Sequence, residues 1–214
     1  MTEAMPENGC CATPRCERMP LSESEHCYQH LPDEQAWRRR LEAVLSQLRE
    51  LDGYNLSGAG LSKLDLSGKR LHQCRFSGAV LSDCNLDHTR WLLCLFDDAR
   101  LTGCTVREAV VHASIIAGAE IIDTDFTGSD LVQSNFNGTY VAHSSFADCD
   151  LARSRFIAAR LEHTSFVNCN LKDVLLIDTA YTDLDFRLSN PEDARFERSN
   201  DAPGGPFRHE NLYP

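Results

Sequence analysis

The sequence lacks any apolar run near the roughly 18 residues a membrane-spanning helix needs. Its first residues carry Glu3 and Glu7 ahead of any apolar stretch, which is not the profile of a secretory leader. Positive charge is scarce: 21 Lys and Arg stand against 32 Asp and Glu, a formal net charge of −11. That argues against a basic nucleic-acid or anionic-membrane surface. There is no glycine-rich phosphate loop and no grouping of nucleophile, base and orienting acid. The expectation is a cytoplasmic protein that is not an enzyme, with no membrane segment and no direct nucleic-acid partner. Its 214 residues are enough for one substantial core with an appendage.

Most of the chain also lacks the periods of 3.6 and 2 that mark amphipathic helices and half-buried strands. A period of five is there instead. Every fifth residue from Leu56 to Phe186 is apolar or aromatic, 27 in succession without a slip of register. Two positions earlier in each unit, every residue from Cys74 to Cys169 is Ala, Cys, Ser or Thr. Such a chain turns a corner every five residues, with one large and one small side chain inward. Gly58, Gly68, Gly78, Gly103, Gly118, Gly128 and Gly138 fall at the turn position, where permissive backbone is needed. Four sides make a coil of 20 residues, and coils stack at β-ladder spacing.

The grid also explains six of the ten cysteines. Cys74, Cys84, Cys94, Cys104, Cys149 and Cys169 share one phase, which no disulfide framework requires. They read as small core fillers interchangeable with Ala, Ser and Thr. The phenylalanines read as two core ladders, Phe76, Phe96, Phe136 and Phe156 on one face, and Phe126, Phe146, Phe166 and Phe186 on another.

Units such as CNLDH (84–88), SDLVQ (129–133), SNFNG (134–138), CDLAR (149–153) and CNLKD (169–173) resemble the pentapeptide-repeat family. The resemblance covers about residues 54–188. It implies an all-β solenoid, a right-handed quadrilateral β-helix; handedness comes from the family and not from the period.

Residues 1–31 differ in composition and hold the one metal-type constellation, Cys11-x4-Cys16-x10-Cys27-x2-His30. Three Cys and one His at this spacing can converge as a tetrahedral, structural Zn²⁺ site. Cys10 is an alternative first ligand and His26 a weaker last one. The run CERMPLSESEHCYQH resembles short bacterial Cys₃His knuckles. Residues 33–50 read as a helix, with Pro32 and Asp33 at its start and a stripe of Trp37, Leu41, Val44, Leu45 and Leu48. In the segment 32–53 this helix is expected to cap the first coil. Arg38, Arg39 and Arg40 read as a solvated face. Residues 189–214 read as a loose C-terminal cap and tail, with Pro191 at a large-residue phase and Asn, Asp, Pro and Gly dominant from Arg198 onward.

Two non-catalytic functions fit. The first is a protein-interaction scaffold. Outward phases should be polar, yet Leu92, Leu93 and Leu95 stand there, with Val110 and Ile115 on the next coil and Val132 on the one after. An apolar corner of this kind marks an interface, to a protein partner or to a second copy in a homodimer, unless the helix, the zinc segment or the tail folds back over it. The alternative is an acidic DNA mimic that binds DNA gyrase or another topoisomerase, as quinolone-resistance members of the family do. Asp83, Asp87, Asp123, Asp125, Asp183 and Asp185 gather along one corner. Residues 54–187, however, hold 17 acidic against 12 basic side chains, a modest excess.

Overall fold

A side chain can point inward at every fifth residue only if the chain bends between them. The structure, a computed structural model that describes residues 9–197, bends it at positions ending in 3 and 8. Backbone there is left-handed, with φ of 54° at Asp83, 64° at Gly78 and 59° at Gln133. The three-residue sides between corners stack in parallel with their counterparts 20 residues away: Leu71 over Leu51, Trp91 over Leu71, Leu81 over Leu61. The result is a four-sided β-solenoid.

The first face is a four-stranded sheet of Glu50–Asp52, Arg70–His72, Arg90–Leu92 and Val110–His112. The third face is a seven-stranded sheet running from Gly60–Ser62 to Ala180–Asp185, one strand per coil. Single bridges hold the second and fourth faces, for example Arg75 to Leu95 to Ile115 on the second and Asn85 to Thr105 to Asp125 on the fourth. Regular pairing returns to the second face between Leu175–Ile177 and Arg195–Glu197.

Stacking identical phases packs like on like. Phe126, Phe146, Phe166 and Phe186 form a column with ring centroids 4.8, 5.1 and 5.1 Å apart. It meets Phe136 and Phe156 edge to face at 5.8–6.1 Å, the geometry aromatic quadrupoles favour. Phe76 and Phe96 stack at 4.4 Å. The small phase repeats one hydrogen bond: the side chain donates to the carbonyl 23 residues back. Cys74 does so to Leu51 (3.3 Å), Cys149 to Phe126 (3.0 Å), Ser154 to Leu131 (2.6 Å) and Thr179 to Phe156 (2.6 Å). Thiol and hydroxyl thus serve the same backbone group. Burial pushes the Cys169 thiol up to about 12, so it stays protonated and unreactive. Among the described residues no buried side-chain nitrogen or oxygen lacks a partner.

The helix α1 spans Glu34–Gln47, with the Asp33 carboxylate accepting from the Ala36 N–H at 2.8 Å as its N-cap. Trp37, Leu41 and Leu45 are buried, and the helix closes the lower end of the core. It stops three residues short of the expected end because Glu50 already belongs to the first rung. Leu51 is in phase with the grid and fully buried. Lys69 stands where the grid wants a small residue; its ammonium turns out to cap the helix, donating to the carbonyls of Leu45 (2.8 Å) and Leu48 (2.7 Å). At the other end the coil continues through Pro191 to Glu197. The tail expected from Arg198 onward lies outside the described residues. None of the helices among the described residues is long and apolar enough to cross a membrane.

Candidate metal centre and apolar corner

The first described residues have almost no apolar material, and their fold is a set of tight turns. Cys11 N–H donates to Arg18, Ala12 N–H to Glu25, and Leu21 N–H to His26, at 2.8–2.9 Å. A single 3₁₀ turn, Tyr28–His30, follows Cys27. These turns bring together Cys11, Cys16, Cys27 and His30, whose ligand atoms all lie within 4.8 Å of one another. Cys10 and His26 stand outside the group.

The spacings fit one tetrahedral ion. Zn–S bonds of about 2.3 Å and Zn–N of about 2.0–2.1 Å place sulfurs about 3.8 Å apart, and sulfur about 3.6 Å from nitrogen. Cys16 and Cys27 sulfurs are 3.9 Å apart, and His30 Nδ1 is 3.5 Å from Cys11 Sγ and 3.4 Å from Cys27 Sγ. The charges point the same way. Burial works against a Cys11 thiolate, but the backbone N–H groups of Cys27 and Thr13, the Thr13 hydroxyl and His30 outweigh it and bring the thiol down to about 5. Cys27 is pushed up, by burial first and then by its sulfur neighbours Cys11 and Cys16. Such a cluster accommodates one thiolate readily and needs a cation to hold more. With four protein donors, no position is left for a reacting water.

The knuckle is docked on the solenoid. Asn55, at an outward phase, is buried because the knuckle covers it. Its side-chain amide donates to the Pro20 carbonyl at 2.7 Å, its N–H to the Ser22 hydroxyl at 3.0 Å, and its carbonyl accepts from Ser22 N–H at 2.9 Å. Leu21 is buried against α1 and the first coil, and the Trp37 indole donates to the Ser22 carbonyl at 2.9 Å. Gly60 is the one glycine of the repeats away from a corner. A Cβ there would lie 2.7 Å from the Tyr28 hydroxyl, so its missing side chain admits the knuckle. That off-phase glycine was the available sequence signal for docking.

The apolar corner lies where the first face turns into the second. Leu92 and Leu93 are about half exposed and Ile115 is exposed; Leu95, Val110 and Val132 are intermediate. Leu95 and Ile115 are adjacent rungs of the second face. Val110 sits on the first face, two residues before His112, which itself pairs with Asp130 at 3.1 Å. Neither α1 nor the knuckle covers Leu92, Leu93 or Ile115. On the acidic corner many carboxylates have partners: Asp125 pairs with Arg107 (2.7 Å), Asp185 with Arg187 (2.6 Å) and Asp183 with His163 (3.0 Å).

The sequence pattern of the family described as Pentapeptide repeats matches residues 55–90, 94–133 and 134–173, in eight copies. Similar solved structures include HetL, a pentapeptide repeat protein involved in heterocyst differentiation regulation from the cyanobacterium Nostoc sp. Strain PCC 7120, at 14% identity over 77% of this chain and 94% of that one, with a TM-score of 0.34. Full-length QnrB1, a plasmid-mediated fluoroquinolone resistance protein, matches at 14% identity over 70% and 89%, TM-score 0.32. Rfr23 from the cyanobacterium Cyanothece 51142 matches at 14% over 74% and 99%, TM-score 0.32. Among curated proteins nothing matches.

Proposed function

This chain belongs to the pentapeptide-repeat family, and on that premise we propose that it is a non-catalytic scaffold which holds a protein partner against its apolar corner. In this reading a structural Zn²⁺ on Cys11, Cys16, Cys27 and His30 closes the N-terminal knuckle. The ion would supply cohesion in place of a core.

Leu93 carries the proposal. Most corners of the coil use glycine or a polar residue, because left-handed backbone is costly for a side chain with a Cβ, by roughly 1–2 kcal/mol. Leu93 holds φ 56° and is 48% exposed. Beside Leu92 and Ile115 it forms a contiguous patch of the kind that meets a partner. The alternative, an acidic mimic of DNA acting on a topoisomerase, is less well supported, since Asp125 and Asp185 on the acidic corner are paired with Arg107 and Arg187.

The test is photo-crosslinking in cells with a light-activated amino acid at position 92, and at position 123 on the acidic corner. A discrete adduct from 92 and none from 123 is expected. Adducts from 123 alone would favour the mimic and overturn the scaffold reading. Native mass spectrometry of the purified chain separately reports whether the partner is a second copy.

A further inference from the structure

The arginines of the solenoid fall into two groups. Arg70, Arg100, Arg107, Arg153, Arg160, Arg187 and Arg195 each have a carboxylate partner, as a chain of net charge −11 allows. Among the described residues, Arg75, Arg90 and Arg155 have none. All three border the apolar corner. On the second face the rungs read Arg75, Leu95, Ile115, Asn135, Arg155, an apolar pair with an unneutralised cation beyond each end. On the first face Arg90 stands two residues before Leu92, between the rungs of Arg70 and Val110.

The lower end of this column opens into a concave feature. Between knuckle and solenoid lies a cavity of about 710 Å³, walled by Arg18, Met19 and Gln29 on one side and Arg75, Ser77 and Leu95 on the other. Arg18 donates to the Gln29 side-chain carbonyl at 2.5 Å, and the Arg75 guanidinium contacts the Met19 sulfur. Neither meets a carboxylate; Asp97, the nearby acid, accepts from Ser77 at 2.6 Å.

We propose that the partner segment seated on the apolar corner is an acidic peptide with apolar side chains at its centre, running along the second face into the cavity beside the knuckle. This deepens the scaffold reading and rests on it. Charge complementarity selects the class. Unpaired cations at the edges of a partly desolvated apolar patch favour a ligand that brings carboxylates, and repel a basic one. Arg75 and Arg155 are four rungs apart, about 19 Å at β-ladder spacing. An extended peptide covers that length in about six residues. The occupant therefore carries acidic groups about six residues apart, with apolar residues between them to meet Leu95, Ile115 and Leu93.

The experiment is selection of randomised twelve-residue peptides displayed on phage against the immobilised full chain. The winners are then resynthesised with a fluorophore and titrated by anisotropy. Peptides rich in Asp and Glu around a Leu, Ile or Phe centre are expected. Arg75→Glu and Arg155→Glu should each weaken binding at least tenfold, Arg75→Gln less so, and 0.5 M salt should weaken it further. Both positions are exposed, and unchanged thermal unfolding of the variants would show the fold intact. Binding lost on Leu93→Asp but unmoved by Arg75→Glu and Arg155→Glu would overturn the acidic peptide while leaving the corner as an interface. Failure to select any binder, or binding indifferent to all of these variants, would overturn both. Binding that appears only after removal of residues 198–214 would assign the surface to the chain's own tail and likewise overturn the proposal.

Discussion

The knuckle and the solenoid are built on opposite principles. The solenoid repeats one solution to burial about seven times, and each rung needs only its neighbours: Phe146 is held by Phe126 and Phe166, and those by the next rings. The knuckle is not repeated and has little to bury beyond Leu21. Its residues are organised around four ligand atoms, and it leans on the solenoid through Asn55 and Gly60. Cohesion by stacking is spread over the whole rod, whereas the proposed metal would concentrate the knuckle's cohesion at one point.

The sharpest way to break that contrast is to strip the proposed ion. Structural zinc contributes about 10–16 kcal/mol of apparent binding energy in small domains, so chelation or Cys27→Ser should leave residues 9–31 open to protease while the β-sheet circular dichroism of the solenoid stays. Native mass spectrometry should show one zinc per chain lost. A solenoid that melts together with the metal would mean that the two regions are one cooperative unit.

The converse substitution is Phe146→Ala, which leaves a cavity in the middle of the aromatic column and should cost about 3–5 kcal/mol. Urea unfolding should register it while zinc content is unchanged. Next in size is the seam between the regions. Gly60→Val places atoms where the Tyr28 hydroxyl lies and should cost about 1–3 kcal/mol, with hydrogen exchange quickening over residues 20–30 and the ion retained. Retained protection there would mean that the knuckle can shift without loosening.

Leu93→Asp should change stability by no more than about 0.5 kcal/mol while abolishing partner binding, because its side chain faces solvent. The smallest effect is expected for Arg107→Ala. Burial raises the Asp125 carboxyl, but the Thr127 hydroxyl and N–H and the Arg107 guanidinium outweigh it and hold it below the ordinary carboxylate range. Its contribution is present above the unfolded value, about 4, and is lost as pH falls through the folded one. The pair is largely exposed and screened by solvent, so the change should be close to the limit of detection. A pH titration of stability, wild type against Arg107→Ala, should show its full difference above about pH 4 and converge only as pH falls through the lower folded value of Asp125.

The pentapeptide grid made the solenoid legible because each position's burial depends on its phase alone, and phase can be counted. The six repeat cysteines and the phenylalanine columns follow from that, and the helix stripe from its own 3.6-residue period. Lys69 was opaque for the opposite reason: it breaks its phase for the sake of helix carbonyls 21 and 24 residues away. Asn55 is similar, an outward residue buried by a segment more than 30 residues earlier.

The candidate metal ligands could be picked out by residue type and spacing, but spacing did not choose between Cys10 and Cys11. The hairpin turns chose, by carrying one sulfur into the cluster and leaving the other outside it. By itself the sequence determined the coil, its period, its core and its exposed apolar residues, since these follow from short-range repetition. Tertiary structure alone decided that the knuckle docks on the first rungs, and that Arg75, Arg90 and Arg155 are left without carboxylates around Leu93. Docking and pairing depend on which side chains meet across 20 or more residues, and no local pattern encodes that.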